Sequence, residues 1–417
     1  MNEKLAKRSL YTLLLVVLLS CAGIALPYPI LAPMFLNEVN SFTHFAGIHP
    51  KLLLGFLLAI YPLGLLLGSS FIGAASDIYG RRKVLTITLV ISAIGYLLSV
   101  WALINQNYLL FALTRFITGV SEGNIAIAKA IAIDLSPPLD KTRSYSLVAA
   151  TTYAGWLLGP LLGGLLQPYG AYLAFMFAAI AMLITVVVVY FFLQESQSKE
   201  QLQANRHATK LSLRRVLYQQ NSFLLLKDND IRRLFWVFLF STLATNAYYE
   251  FYPLYLVETY NFNGPGIGYI TAIVTTFMIL SSVYLIPVLK RKYGMIKAST
   301  VSMFAFVVLM FVHLLFTLQY ITEIYIWPLY MVIGMSIAIY NALLPIFASE
   351  QYANISQGKL MGLITTTFSL SNVIMAIIGS IIAIKGSIYS LLLGGVLMIV
   401  AILLLNLTKH KNLKSKQ

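Results

Sequence analysis

Charge is scarce in this chain. Only 10% of its 417 residues are Asp, Glu, Lys or Arg, against roughly a quarter in a soluble domain. With a hydrophobic share of 59% and a mean hydropathy of +0.81, that scarcity excludes an ordinary soluble fold. Acid is scarcer than base, 14 residues against 29, for a net charge of +15. A single cysteine, Cys21, excludes an internal disulfide. The sequence also lacks a metal-ligand cluster, a phosphate-cradling glycine loop and a nucleophile–base pair. It therefore points to no enzyme, no metal and no cofactor.

What the chain does have is apolar runs of about 20 residues, the length that crosses a bilayer. Twelve are expected, at 9–31, 52–74, 84–104, 108–130, 145–166, 171–193, 234–256, 266–288, 298–318, 324–346, 360–384 and 386–407. The positive charge alone would suit a nucleic-acid partner, but its distribution argues otherwise. Lys4, Lys7, Arg8, Arg81, Arg82, Lys83, Lys141 and Arg143 fall on one side of the expected membrane. So do the Lys290–Lys292 cluster and the C-terminal lysines, while the opposite loops keep little beyond Lys51 and Lys385. This asymmetry puts both termini in the cytoplasm, with basic charge facing anionic headgroups rather than nucleic acid.

Six spans precede residue 194 and six follow residue 233. The expected organisation is a six-helix bundle over 1–193, a cytoplasmic linker over 194–233, a second bundle over 234–407 and a basic tail over 408–417. The linker stretch 211–226 is amphipathic enough for a surface helix. The halves echo each other weakly. Gly73-Ala-Ala-Ser-Asp77-Ile-Tyr-Gly80-Arg81-Arg82 joins spans 2 and 3, and Leu289-Lys290-Arg291-Lys292-Tyr293-Gly294 occupies the matching loop of the second half. Asp134 and Arg143 are spaced as Glu350 and Lys359 are.

These elements resemble the major facilitator superfamily. The loop after span 2 is similar to its G-x-x-x-D-[RK]-x-G-[RK]-[RK] motif, with Ile78 in place of a cation. Arg115-Phe-Ile-Thr-Gly119 resembles its R-x-x-x-G element in span 4. Asp134 and Arg143, with Pro137-Pro138 between them, resemble the loop 4–5 pattern of bacterial drug and tetracycline efflux proteins. Gly155, Gly159, Pro160, Gly163 and Gly164 in span 5 resemble the helix-5 motif of its antiporters. The resemblance implies an all-α integral membrane protein of twelve helices in two six-helix bundles, with helices 1, 4, 7 and 10 around a central cavity. It implies a monomer that exchanges a small-molecule substrate for protons. It makes Gly73, Asp77, Gly80, Arg81, Asp134 and Arg143 a conformational latch. It also leads us to expect the span-5 glycines to pack on a helix of the other half, span 8.

Ionisable groups inside hydrocarbon cost about 2.5–3.5 kcal/mol on insertion scales, which makes each a functional candidate. Arg115, Glu122 and Glu250 are the three that stand out. Arg115 and Glu122 are seven residues apart, two turns on one helix face, with Gly119 between. Burial favours a neutral carboxyl and a neighbouring arginine a charged one, so alternation between the two would couple protons to transport. The other reading of the pair is a structural ion lock. Glu250 lies in a tyrosine-rich stretch that suits an aromatic or cationic substrate, or an interfacial belt. Tyr28, Asn246, Tyr249, Tyr252, Tyr340 and Asn341 are the candidate lining of a substrate cavity. Span 1 carries no acid, only Pro27-Tyr28-Pro29 and Pro33, so coupling through it is not expected. His313 in span 9 reads as an interfacial residue on a lipid-facing helix. The leading function is proton-coupled export of small organic molecules across a bacterial inner membrane. An importer or facilitator of a sugar, amino acid or siderophore, and a transport-inactive receptor, are the alternatives.

Overall fold

In lipid every backbone N–H and C=O must be satisfied within the segment, so apolar spans become helices. The computed structural model describes residues 2–135, 138–197, 200, 202–203, 222–319, 321–352 and 357–414. Among these residues every regular element is helical. Pro137, most of the expected surface helix, the side chains of Arg143 and Lys359 and the last tail residues lie outside the described set.

The chain clusters into two compact units, one of residues 1–47 with 60–220, the other of 48–59 with 221–417. The first holds α1 (Glu3–Ala25), α2 (Tyr28–Asn37), most of α3 (Pro50–Tyr79), α4 (Arg81–Ile104), α5 (Tyr108–Ser121), α6 (Asn124–Asp134), α7 (Lys141–Leu166) and α8 (Ala171–Phe192). The second holds α9 (Asn229–Tyr260), α10 (Gly264–Leu280), α11 (Ile286–Tyr293), α12 (Met295–Leu318), α13 (Ile326–Gln351), α14 (Gln357–Ala383) and α15 (Ser387–Lys414). It also takes the first residues of α3, where Lys51 pairs with Glu258 and donates to the Ala383 carbonyl at 2.6 Å.

Ten helical stretches are long and apolar enough to cross a bilayer among the described residues. Helices α7 and α9 sit where spans 5 and 7 are expected, with the more polar sequences Lys141–Leu166 and Asn229–Tyr260. Three expected spans are interrupted. Pro27 and Pro29 part α1 from α2. Glu122 and Gly123 part α5 from α6. A π-helical turn at Ser281–Leu285 joins α10 to α11. Such interruptions recur where transporters bind their cargo.

Glycine sets how closely the helices of the first unit approach. A side chain at Gly64 or Gly68 of α3 would strike the carbonyls of Phe116 or Val120 on α5, and one at Gly119 would strike the Tyr61 carbonyl. The span-5 glycines behave alike but not as expected. Gly155 lies against Cys21, Gly159 against the Ala22 carbonyl and Gly163 against the Leu26 carbonyl. Their partner is α1 of the same unit rather than span 8, because the G-x-x-x-G-x-x-x-G spacing presents one flat stripe on which α1 lies backbone to backbone. Gly159→Leu must force that seam apart. Overpacking of this kind costs about 1–3 kcal/mol, so we expect a lowered thermal midpoint for this variant in detergent. Leu158→Ala, at an exposed position of the same helix, should leave the midpoint nearly unchanged and serves as the control.

Candidate functional site

The break in span 4 gathers several buried polar side chains of the first unit. Helix α5 ends at Ser121, and Glu122 caps it with φ −85° and ψ 37°. Gly123 then opens α6, and a side chain there would come within 2.8 Å of Ile72. A row of hydroxyls pins this region to α4. Ser99 bonds Thr114 at 2.7 Å, Ser92 bonds Ser121 at 2.8 Å, and Thr88 donates to Asn124 Oδ1 at 2.7 Å. The close crossing of α3 over Gly119 delivers Tyr61 to the same place.

There the Tyr61 hydroxyl donates to Glu122 Oε2 and the Tyr96 hydroxyl to Oε1 at 3.1 Å. The Arg115 guanidinium lies 4.4 Å from the Tyr61 ring centroid and about equally far, 6.0 and 5.9 Å, from those of Tyr96 and Phe175. Glu122 is 2% exposed and Arg115 4%. Sequence alone placed them on one face; the structure puts Tyr61 between them. Arg115 Nη1 and Asn124 Nδ2 are buried donors with no partner among the described residues. Lys129, seven residues past Glu122, is a third charged residue in this span after Arg115 and Glu122, and is half-buried on α6. The sevenfold spacing of Arg115, Glu122 and Lys129 was the available signal for it. Tyr61 and Tyr96 carried none, since one tyrosine among 26 reads like another.

The loop between α3 and α4 is built around Arg81. Its guanidinium bonds Asp77 at 3.0 Å and Asp134 at 2.5 Å. Gly80 has φ +103° and so turns where a side chain would be strained. An acid that the sequence reading passed over completes this corner. The Glu195 carboxylate, just beyond α8, accepts from the backbone N–H groups of Arg81 and Arg82, both at 3.1 Å. It thereby caps the positive end of α4. Ser196 adds a bond to Asp134 at 2.9 Å. Gly73 has open space beside it.

In the second unit Tyr248, Tyr252, Tyr330 and Tyr340 are buried. Tyr340 bonds Thr245 at 2.8 Å, Tyr252 bonds Thr271, and the half-buried Tyr249 reaches Met278 Sδ at 3.2 Å. Asn341 is exposed, and Tyr28, in the first unit, is half-buried with its ring 6.4 Å from that of Trp156. Glu250 is buried with neither oxygen bonded among the described residues, and Asn246 is buried with its Oδ1 likewise unbonded among them. His313 does not face outward, as a lipid-facing position would. It is fully buried, donates through Nδ1 to the Leu309 carbonyl at 2.8 Å, and packs 5.1 Å from Tyr255 and 5.6 Å from Tyr330. The tyrosines of α9 and α13 supply the cover that turns this face of α12 inward.

The chain matches the family model for the Major Facilitator Superfamily over residues 13–371. A tetracycline resistance protein of class H from Pasteurella multocida is 32% identical over 199 residues, 48% of each chain. The match thus spans about half the length of that relative. Multidrug resistance protein 2 of Bacillus subtilis is 24% identical over 367 residues, 86% of each chain. Among solved structures, the human organic anion transporter MFSD10 superposes with a TM-score of 0.65 at 17% identity, covering 97% of this chain and 100% of that one. That likeness is one of fold.

The Arg81 corner yields an ordered set of stabilities. Glu195→Ala removes a helix cap, a loss of about 1–2 kcal/mol. Gly80→Val adds backbone strain and a side chain that would press on Glu195, and should lower the thermal midpoint further. Asp77→Asn leaves Arg81 its Asp134 partner and should lower it least. Thermal unfolding of the three purified variants checks the order.

Proposed function

The chain belongs to the Major Facilitator Superfamily, and we propose that within it this protein exports small organic molecules in exchange for protons, with Glu122 as the group that binds the proton. It is a multi-pass membrane protein of a family that carries small-molecule substrates. The observation that supports the coupling reading is the seat of Glu122, held by hydroxyls from α3 and α4 on a break in span 4. As a carboxylate, Glu122 only accepts, and both tyrosines donate to it. Once protonated it must donate through one oxygen, so one tyrosine bond reverses and that hydroxyl hydrogen has to find another acceptor. The proton thus changes how α3 and α4 hold the break. Arg115 on the Tyr61 ring favours the charged form, and burial favours the neutral one. The unpartnered donors Arg115 Nη1 and Asn124 Nδ2 can then serve a substrate oxygen.

Export is favoured over import by the resistance proteins among the relatives and by the glycine stripe of α7. A bacterial inner membrane, cytoplasmic termini, a monomeric state and working units over 1–193 and 234–407 joined by the linker complete the proposal.

In inverted vesicles with an imposed proton gradient, the wild-type protein should accumulate its substrate. Glu122→Gln should abolish that accumulation while gradient-independent exchange persists. Tyr61→Phe should reduce it about tenfold or less, because Tyr96 remains. Gradient-driven accumulation by Glu122→Gln at the wild-type level would remove Glu122 from coupling.

A further inference from the structure

The turn between α11 and α12 answers the Arg81 corner of the first unit, with the acids missing. Aligned on Gly80 and Gly294, Arg291 stands where Asp77 does and Lys297 where Lys83 does. Gly294 takes φ +75° and joins α11 directly to α12. In the first unit Arg81 is tied to two acids, and Glu195 takes the backbone N–H groups beside it. In the second unit Lys290 meets Glu350 at 3.1 Å, while Arg291, Lys292 and Lys297 have no acid partner among the described residues. The remaining acids from residue 228 onward are placed elsewhere. Asp228 caps α9, Asp230 pairs with Arg233, Glu258 pairs with Lys51, Glu250 is buried within α9, and Glu323 follows the far end of α12.

Tyr293 gathers two of these cations. Lys292 Nζ lies 5.2 Å and Lys297 Nζ 5.6 Å from its ring centroid, within the reach of cation–π attraction. Two like charges are thus held around one ring, and both lysines and the tyrosine are exposed. The negative end of α11 accounts for cations at 290, 291 and 292, which sit in its last turn. It does not account for Lys297, which lies in the first turn of α12, where the helix dipole disfavours a cation. Lys297 instead heads an apolar strip. Val301, Phe304 and Val308 follow it at spacings of four, three and four, on one face of α12, and all three are exposed. Val283 and Tyr284 in the π-helical turn and Val288 on α11 are exposed as well. Charge at the head and exposed hydrocarbon below is the complement of an acidic phospholipid.

We propose that Lys292 and Lys297 hold the phosphate of one acidic phospholipid, with Arg291 adding charge beside them and an acyl chain lying along Val301, Phe304 and Val308. The second unit then draws from the membrane the negative charge that the first unit draws from Asp77, Asp134 and Glu195. The Tyr293 ring holds the two ammonium groups near each other before the lipid arrives, so less side-chain freedom is lost on binding. The lysine stems cover apolar surface while their heads stay at the headgroup level. A phosphatidylcholine brings its own quaternary cation, which these lysines repel, so the site discriminates by net headgroup charge. This inference is independent of Glu122 and of the direction of transport.

The test titrates the purified full-length protein in detergent with dioleoyl phosphatidylglycerol or dioleoyl phosphatidylcholine and reads the affinity of the first bound lipid by native mass spectrometry. Phosphatidylglycerol should bind more tightly than phosphatidylcholine. Lys292→Gln/Lys297→Gln should weaken it about tenfold or more, toward the phosphatidylcholine value. Lys292→Arg/Lys297→Arg, which keeps both charges, should retain it. Lys4→Gln/Lys83→Gln removes the same charge from exposed positions of the first unit and should change the affinity less than about twofold, because screening confines such attraction to nearby groups. The proposal is overturned if the two lipids bind alike, if Lys292→Gln/Lys297→Gln binds phosphatidylglycerol as well as wild type, or if Lys4→Gln/Lys83→Gln loses as much, which would make the preference one of overall charge. It is also overturned if soluble glycerol 3-phosphate displaces the lipid at equal concentration, which would make this a site for free phosphate.

Discussion

A carboxylate carried into hydrocarbon has to find its hydrogen bonds inside the protein, and the first unit is arranged so that Glu122 can. Two hydroxyls from two different helices must reach it. That demands that α3 cross α5 at backbone distance, which Gly64, Gly68 and Gly119 permit. It demands that α4 hold a fixed register against α5, which the Ser99–Thr114, Ser92–Ser121 and Thr88–Asn124 bonds enforce. It also demands that span 4 give way at Gly123, so that the acid ends one helix instead of projecting from the side of a continuous one. Small residues, hydroxyls and a helix break that look unrelated along the chain serve one group.

The Arg81 corner solves the complementary problem at the membrane surface. There charge is plentiful and the task is to fix a turn. Gly80 supplies the conformation, Arg81 ties two acids, and Glu195 gathers the two N–H groups that a helix start leaves unpaired. Because Glu195 follows α8 directly, the end of the first six spans is fastened to the start of α4 within the same unit.

Much of this was legible in sequence, for reasons that differ by element. Hydrophobic runs disclose spans because lipid leaves the backbone no other choice, and charged residues inside them stand out as candidates because their insertion is costly. Glu122, Arg115 and Glu250 were therefore visible, as was the Arg81 loop. What sequence could not supply was partnership. Nothing along the chain says that Tyr61 and Tyr96 converge on Glu122, that Glu195 folds back on Gly80, or that His313 is enclosed by Tyr255 and Tyr330. The glycines of α7 show the limit most clearly. Their spacing announces a close neighbour, and the identity of that neighbour, α1, depends on packing that no local pattern encodes. Lys129 differs again. It was readable from its spacing and was hidden by lying near the end of its span.

The seam between α1 and α7 also settles what kind of experiment this protein invites. Its one thiol, Cys21, is fully enclosed and lies directly on Gly155. Water-borne maleimides cannot reach a sulfur without surface, so the natural chain already serves as a silent background for cysteine placed elsewhere. Spin labels or fluorophores can be attached at chosen positions without first removing the native residue, and the native thiol stays in reserve as a reporter that reacts only when those two helices come apart.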